Sequence, residues 1–182
     1  MIRLALWLLG AVLLGGIVHL ATVLVLPGLA SQDAYARVSA IAPVNAVVAL
    51  PAPTPEKAVM PFMDPAFVAS VCRYDLSRAA LKFSVPISPA YTSVSFYTRG
   101  GVPYYAINDR AAGRRVIELD LMTAAQRADL PEDQDITRAD RLIVTSPSVA
   151  GLIVIRAFVP EPGWIPAARS ALAAAKCRPQ QP

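Results

Sequence analysis

Groups that usually carry catalysis are scarce in this chain. Its 182 residues include one histidine, His19, and two cysteines, Cys72 and Cys177. Because His19 lies in a long apolar run, no serine–histidine–acid triad can form outside that run. Two cysteines and that histidine cannot build a structural zinc centre. No G-x-S-x-G elbow, phosphate-binding loop or dinucleotide fingerprint occurs, so the residues imply neither a metal nor a cofactor. The net charge is +4, but basic residues alternate with acids, as in Asp109-Arg110 and Arg138-Ala-Asp140-Arg141. Without a basic stripe interleaved with aromatics, nucleic acid is not an expected partner. Asp129, Glu132, Asp133 and Asp135 lack the glycine and spacing of a calcium loop and read as a solvated acidic turn.

Charge is also missing from one particular stretch. From Leu4 to Leu26 the chain reads LALWLLGAVLLGGIVHLATVLVL, with no permanently charged side chain. As a helix it would be ~34 Å long, against a hydrocarbon core of roughly 30 Å. Residues 1–30 therefore predict a transmembrane anchor in contact with the bilayer through residues 4–26. Arg3 and the terminal amine place the N-terminus in the cytoplasm and the remainder outside. The alternative is a cleaved secretion signal, for which Gly28-Leu29-Ala30 supplies a small-x-small site and Ser31 a new terminus. Ala11, Gly15, His19 and Thr22 share one helix face. They make a candidate helix–helix interface, for a membrane partner or a second copy. Ordinary glycine usage and a histidine near the headgroups are the simpler account of them.

Residues 31–65 read as an amphipathic helix and a stiff spacer. Ser31 is the expected cap, Asp33 and Arg37 are spaced as an i,i+4 pair, and Ala34, Tyr35, Val38, Ile41 and Ala42 gather on the other side. Val44 to Leu50 is too short to span a membrane and reads as a buried or re-entrant segment. Prolines 43, 51, 53, 55, 61 and 65 then favour extended chain.

From residue 66 to 182 the pattern predicts one β-rich domain. Leu81, Phe83 and Val85 alternate with polar neighbours. Tyr91–Thr98 and 102–107 flank a glycine pair suited to a hairpin turn. Strands are also expected at 115–121, 142–146 and 152–159, the last apolar on both faces apart from Arg156 and hence central. Thr123 and Gln126 fit a capping box, and the alanine-rich run after Pro166 fits a closing helix. Most connections are too short for helical crossovers, so the expected class is mainly β, an antiparallel β-sandwich or curled sheet, with an N-terminal transmembrane helix and a short C-terminal helix. Cys72 and Cys177 lie near the ends of this domain; in an oxidising compartment they would form a disulfide, and otherwise two buried thiols.

Two candidate ligand features stand out. Arg156, if buried, needs a counter-charge: Asp75, Glu118 or Asp120 as a structural pair, or a bound anion. Tyr91, Tyr97, Tyr104 and Tyr105, with Phe96, would floor an apolar pocket or simply pack. Asn108-Asp109-Arg110 reads as a turn.

Pro61-Phe-Met-Asp-Pro65, Cys72-Arg-Tyr-Asp-Leu76, the Phe83 to Tyr97 strand pair, Leu152-Ile-Val-Ile-Arg-Ala157 and Ala-Lys-Cys177 together give the chain a wider likeness. It resembles a family of bacterial predicted integral membrane proteins with a domain of unknown function. The resemblance implies the same domain type as the N-terminal half of larger secreted proteins with two β-rich domains, an envelope location and a β-sandwich. Those larger relatives carry Asn-Asn-Asp-Thr-x-Tyr, which is missing around Asp75, and no catalytic residue carries over. The resulting expectation is a bacterial inner-membrane protein with a single span and a periplasmic domain, acting as a non-enzymatic partner- or ligand-binding module. A carboxylate-, tyrosine- and arginine-dependent hydrolase, or a small subunit of a membrane complex, are the alternatives.

Overall fold

The computed structural model describes residues 1–29, 33–54, 56–113, 115–130 and 142–180. The uncharged run becomes one helix, α1 (Ile2–Leu29). Its Ile2–Leu26 portion is long and apolar enough to cross a membrane, and a secretion signal meets the same description. The chain divides into two compact units, Met1–Asp33 and Ala34–Pro182.

The second unit is a β-sandwich. One sheet has the order β1 (Val47–Ala49), β2 (Phe67–Asp75), β8 (Ala150–Phe158), β4 (Tyr91–Thr98) and β5 (Pro103–Asn108). The other has β7 (Leu142–Ser146), β6 (Val116–Thr123), β3 (Leu81–Pro86) and β9 (Lys176–Pro179). Period-2 alternation turns Leu81, Phe83 and Val85 inward while Lys82 stays exposed. Ile117, Leu119 and Leu121 do the same on β6 and meet Val94, Phe96, Ile153 and Ile155 from the opposing sheet. Phe83 and Phe96 pack edge to face across the sheets, with ring centroids 6.1 Å apart.

The described strand pairs are antiparallel except β6 with β7, which is parallel. That pair requires a crossover, opened by α4 (Ala124–Ala128) behind the Thr123/Gln126 capping box. The Gln126 side chain also donates to the Leu76 carbonyl at 2.8 Å, fastening this helix to the body. A single turn, α3 (Asp109–Ala112), begins where the Asn108 side chain accepts from the Ala111 N–H at 2.9 Å. After α5 (Ile165–Ala173), which buries Ala168 and Leu172, the chain returns as β9.

Three strands escape sequence patterning. β2 is buried along most of its length, so its run FVASVCRYD shows little alternation. β9 is four residues long. The Val44–Leu50 segment buries Leu50 and packs Val47 and Val48 against the core, and part of it becomes β1, which extends the sheet beside β2. Asn45, at φ 56°, anchors this edge by accepting from the Asp75 N–H at 2.9 Å and donating to the Asp75 carbonyl at 3.3 Å.

The amphipathic helix expected near residue 34, on the membrane surface or against the domain, packs on the outer face of the five-stranded sheet together with Leu50. Val38 from α2 (Ala34–Ser39), with Ala42 and Leu50, covers Ala69, Val71 and Leu152. The Tyr35 ring lies 4.1 Å from the Arg99 guanidinium and 5.9 Å from that of Arg73, a cation–π clamp on α2. The Ser31 cap and the acids Glu132, Asp133 and Asp135 lie outside the described residues.

Cys72 of β2 and Cys177 of β9 form a disulfide with Cα atoms 6.5 Å apart, and both are buried. The bond ties the two sheets together through their common core. Replacing both cysteines by alanine removes a cross-link spanning 105 residues of sequence, which in the chain-entropy model costs about 4.7 kcal/mol. Urea unfolding of native and double-variant protein, followed by circular dichroism, should show the midpoint fall accordingly; an unchanged midpoint would mean the bond contributes nothing.

Candidate functional site

Alternation along β8 sends Ile153, Ile155 and Ala157 into the inter-sheet core and Leu152, Val154 and Arg156 to the outer face. Hydrogen-bonded register then sets Arg156 between Ala69 of β2 and Ser93 of β4. Over this face runs the segment around residues 59–64, whose Val59, Met60 and Met63 pack on the outer apolar cluster. Between segment and sheet lies a cavity of about 320 Å³, walled by Leu50, Met60, Met63, Tyr97, Leu152 and Val154. A second, more open groove of about 360 Å³ adjoins it, with Tyr91, Ser93, Ser95 and Asn108 on its walls. Phe67 and Arg156 belong to both spaces.

The segment over the cavity is held by a tight turn. Asp64 Oδ1 accepts from the Ala66 N–H at 2.8 Å, and the Asp64 carbonyl accepts from the Phe67 N–H at 3.2 Å. Phe62 sits at φ 59°, in the left-handed region where a bulky side chain is strained, and its ring is fully exposed beside the cavity.

Arg156 does not meet the condition, burial, under which it would need a counter-charge. It is exposed rather than buried, and it makes no ion pair with Asp75, Glu118 or Asp120, nor any hydrogen bond or ion pair with another described residue. Geometry accounts for this. Asp75 pairs with Ala150, six residues from Arg156 along β8 and so ~20 Å away. Glu118 and Asp120 belong to the other sheet. Asp120 is buried opposite Lys82, and neither of its carboxylate oxygens has a hydrogen-bond partner among the described residues.

The tyrosines divide between two environments. Tyr91 and Tyr97 reach the outer face with Arg156. Tyr104 and Tyr105 go instead to the inter-sheet core, because the β4–β5 register shifts between Phe96 and Tyr97 and adds a residue on β5. Both rings then pack on Phe96, at centroid distances of 6.2 and 5.7 Å. The Tyr74 hydroxyl is a buried hub. It donates to the Tyr97 carbonyl at 3.2 Å and lies within hydrogen-bonding distance of Tyr104 Oη (3.1 Å) and Ser146 Oγ (3.0 Å). Burial pushes the Tyr104 hydroxyl well above its ordinary range, partly offset by Ser146, and burial raises Tyr105 as well. Both remain protonated at neutral pH, the opposite of what a proton-abstracting tyrosine requires.

Ala11, Gly15, His19 and Thr22 lie along α1, where the Thr22 hydroxyl donates to the Val18 carbonyl at 2.8 Å. No group of three or more potential metal ligands occurs among the described residues. Sequence reading missed Met60, Met63, Phe62, Ser93, Ser95 and Asn108. For the methionines a signal existed: a mere spacer has no use for two large apolar side chains beside its prolines.

A family model described as "Protein of unknown function (DUF1254)" matches residues 44–179. No curated protein matches the chain. The fold is similar to that of the VPA0106 protein from Vibrio parahaemolyticus, with a TM-score of 0.60 at 14% identity over 81% of this chain and 34% of that one. An uncharacterized protein from Burkholderia cenocepacia aligns with a TM-score of 0.49 at 13% identity, over 84% of this chain and 41% of that one. This chain thus spans about a third of the length of the Vibrio protein.

Gly151 faces Tyr74 in the strand register, and a β-carbon there would collide with the Tyr74 hydroxyl and the Tyr97 carbonyl. Gly151→Ala should therefore destabilise the domain by about 1–3 kcal/mol, read as a lowered Tm; unchanged stability would show that the strand and Tyr74 can move apart freely.

Proposed function

We propose that this chain, which belongs to the DUF1254 family of proteins of unknown function, is a membrane-tethered module of the bacterial envelope that binds a small ligand on the outer face of its five-stranded sheet. In this reading α1 is an anchor in the inner membrane, Arg3 is cytoplasmic and the β-rich unit is periplasmic. The Cys72–Cys177 bond supports an oxidising compartment. One observation carries the binding role: a cavity of about 320 Å³ with apolar walls opens beside Arg156, which has no ionic partner among the described residues. Its size falls within the range of small-molecule sites, roughly 300–1,000 Å³. The same surface offers little to a hydrolase. Among the described residues Asp64 is the only carboxylate on the cavity wall, and one of its oxygens already holds the turn. The Ala11, Gly15, His19 and Thr22 face of α1 is the surface on which a second membrane helix would approach closely.

Methyl NMR of the full chain in lipid nanodiscs tests the cavity, since only four methionines are present. Titration with cyclohexane, a neutral apolar probe, should shift Met60 and Met63 saturably while buried Met122 stays fixed as a reporter of the fold. In Val154→Trp the Met60 and Met63 response should disappear with Met122 unchanged. A response of Met60 and Met63 that survives this filling would remove the cavity from the account. The tether has its own check. Mass spectrometry of protein extracted from membranes should find residues 1–30 retained, whereas a chain beginning at Ser31 would replace anchoring by secretion.

A further inference from the structure

We infer that this face takes a single-chain amphipathic anion, with its hydrocarbon in the cavity beneath residues 60–64 and its headgroup on Arg156. The inference depends on the binding role proposed above and adds the chemical class of the ligand.

The polarity of the surface changes along one line. On one side of Arg156 the walls are mostly apolar, through Leu50, Met60, Met63, Leu152 and Val154, with Tyr97 and Asp64 also on them and one Asp64 oxygen held by the Ala66 N–H. The two methionines are unbranched and polarizable, so they adapt to a flexible chain better than branched residues would. On the other side, the groove presents the hydroxyls of Tyr91, Ser93 and Ser95 and the amide of Asn108, all suited to oxygen atoms of a headgroup. A molecule crossing from one space to the other must be apolar at one end and polar at the other, and it passes the guanidinium on the way.

Charge fixes the sign of that head. Arg156 faces Ala69 and Ser93 in register and has no ion pair among the described residues. A carboxylate or phosphate accepts paired hydrogen bonds from a guanidinium, whereas an alcohol takes one and an ammonium is repelled. The cavity sits at the small end of the range for ligand sites, which favours one hydrocarbon chain over the two of a bilayer phospholipid. Phe62 fits the same picture. An exposed ring on a strained turn at the cavity wall has no packing role in the unliganded domain, but it gives an entering chain a flat apolar surface.

The test uses the full chain in nanodiscs and the Met60 and Met63 methyl signals, which report on the cavity and not on the surrounding lipid. Dodecanoate, dodecyl phosphate, dodecanol and dodecyltrimethylammonium are titrated separately. Both anions should saturate the shifts, with decanoate about 15-fold weaker than dodecanoate for the two methylenes lost. Arg156→Gln should weaken the anions by about 10- to 100-fold and leave dodecanol unchanged. Tighter binding of dodecyl phosphate points to a phospholipid-derived headgroup, and tighter binding of dodecanoate to a free fatty acid; either result supports the class. Equal binding of dodecanol and dodecanoate, or no effect of Arg156→Gln, overturns the anion assignment while the cavity survives as a neutral apolar site. If none of these probes nor cyclohexane shifts Met60 and Met63, the binding role falls with it.

Discussion

Strand β8 is the constraint from which the rest of the β-rich unit follows. It lies in the middle of its sheet, and its side chains are apolar on both sides, so each face needs its own cover. The inner face is covered by the second sheet, through Phe83, Leu119 and Leu121. The outer face is covered by α2 and the chain that leads from it toward β2. A two-sheet sandwich leaves its outer faces to solvent; here one of them is roofed from the N-terminal side. Apolar burial on that face is incomplete, and the incomplete part is the cavity beside Arg156.

Two cross-links keep this layered arrangement in register. The Cys72–Cys177 bond joins one sheet to the other from inside the core, and the Tyr74 hydroxyl joins β2 to β4, β5 and the end of β7. Tyr74 can lie flat only because Gly151 opposes it without a β-carbon. Both devices depend on residues that also serve the hydrophobic core, so the Tyr74 network is largely enclosed, with Tyr104 half-buried at its edge. The surface with unmet interactions is the other one. There a guanidinium without a described partner, a row of hydroxyls and an exposed phenylalanine on a strained turn share one sheet face.

The likeness to the Vibrio protein at 14% identity concerns the fold alone. The family model's match begins at residue 44 and therefore includes residues 59–64, the strap over the cavity, as well as the sandwich. The strap thus belongs to the same structural unit as the sheets it covers. Pro61 restricts the chain between Met60 and Met63, whose side chains pack on the outer cluster of the sheet.

Much of this architecture was legible in local pattern. Alternation at Leu81–Val85, the glycine pair after Thr98, the capping box at Thr123–Gln126 and the two-sided apolarity around Ile153 each depend on neighbours a few residues apart, and each appears in the fold where pattern places it. The uncharged run after Arg3 likewise settles its helix by composition alone. What pattern could not decide was anything set by partners distant in sequence. β1 and β9 are strands only because β2 and β3 offer them an edge, and β2 is masked by burial on both sides. Whether Arg156 would be buried and need a counter-charge stayed open in the sequence, because whether a strand residue faces core or solvent depends on what lies above it. Of the five aromatic candidates, Phe96 parts from Tyr91 and Tyr97 by alternation along β4, and Tyr104 and Tyr105 meet the core at a β-bulge that shifts one strand against another. Local chemistry determined which segments are helix or strand; long-range register and the covering strap decided which side chains meet, and so where a ligand has room.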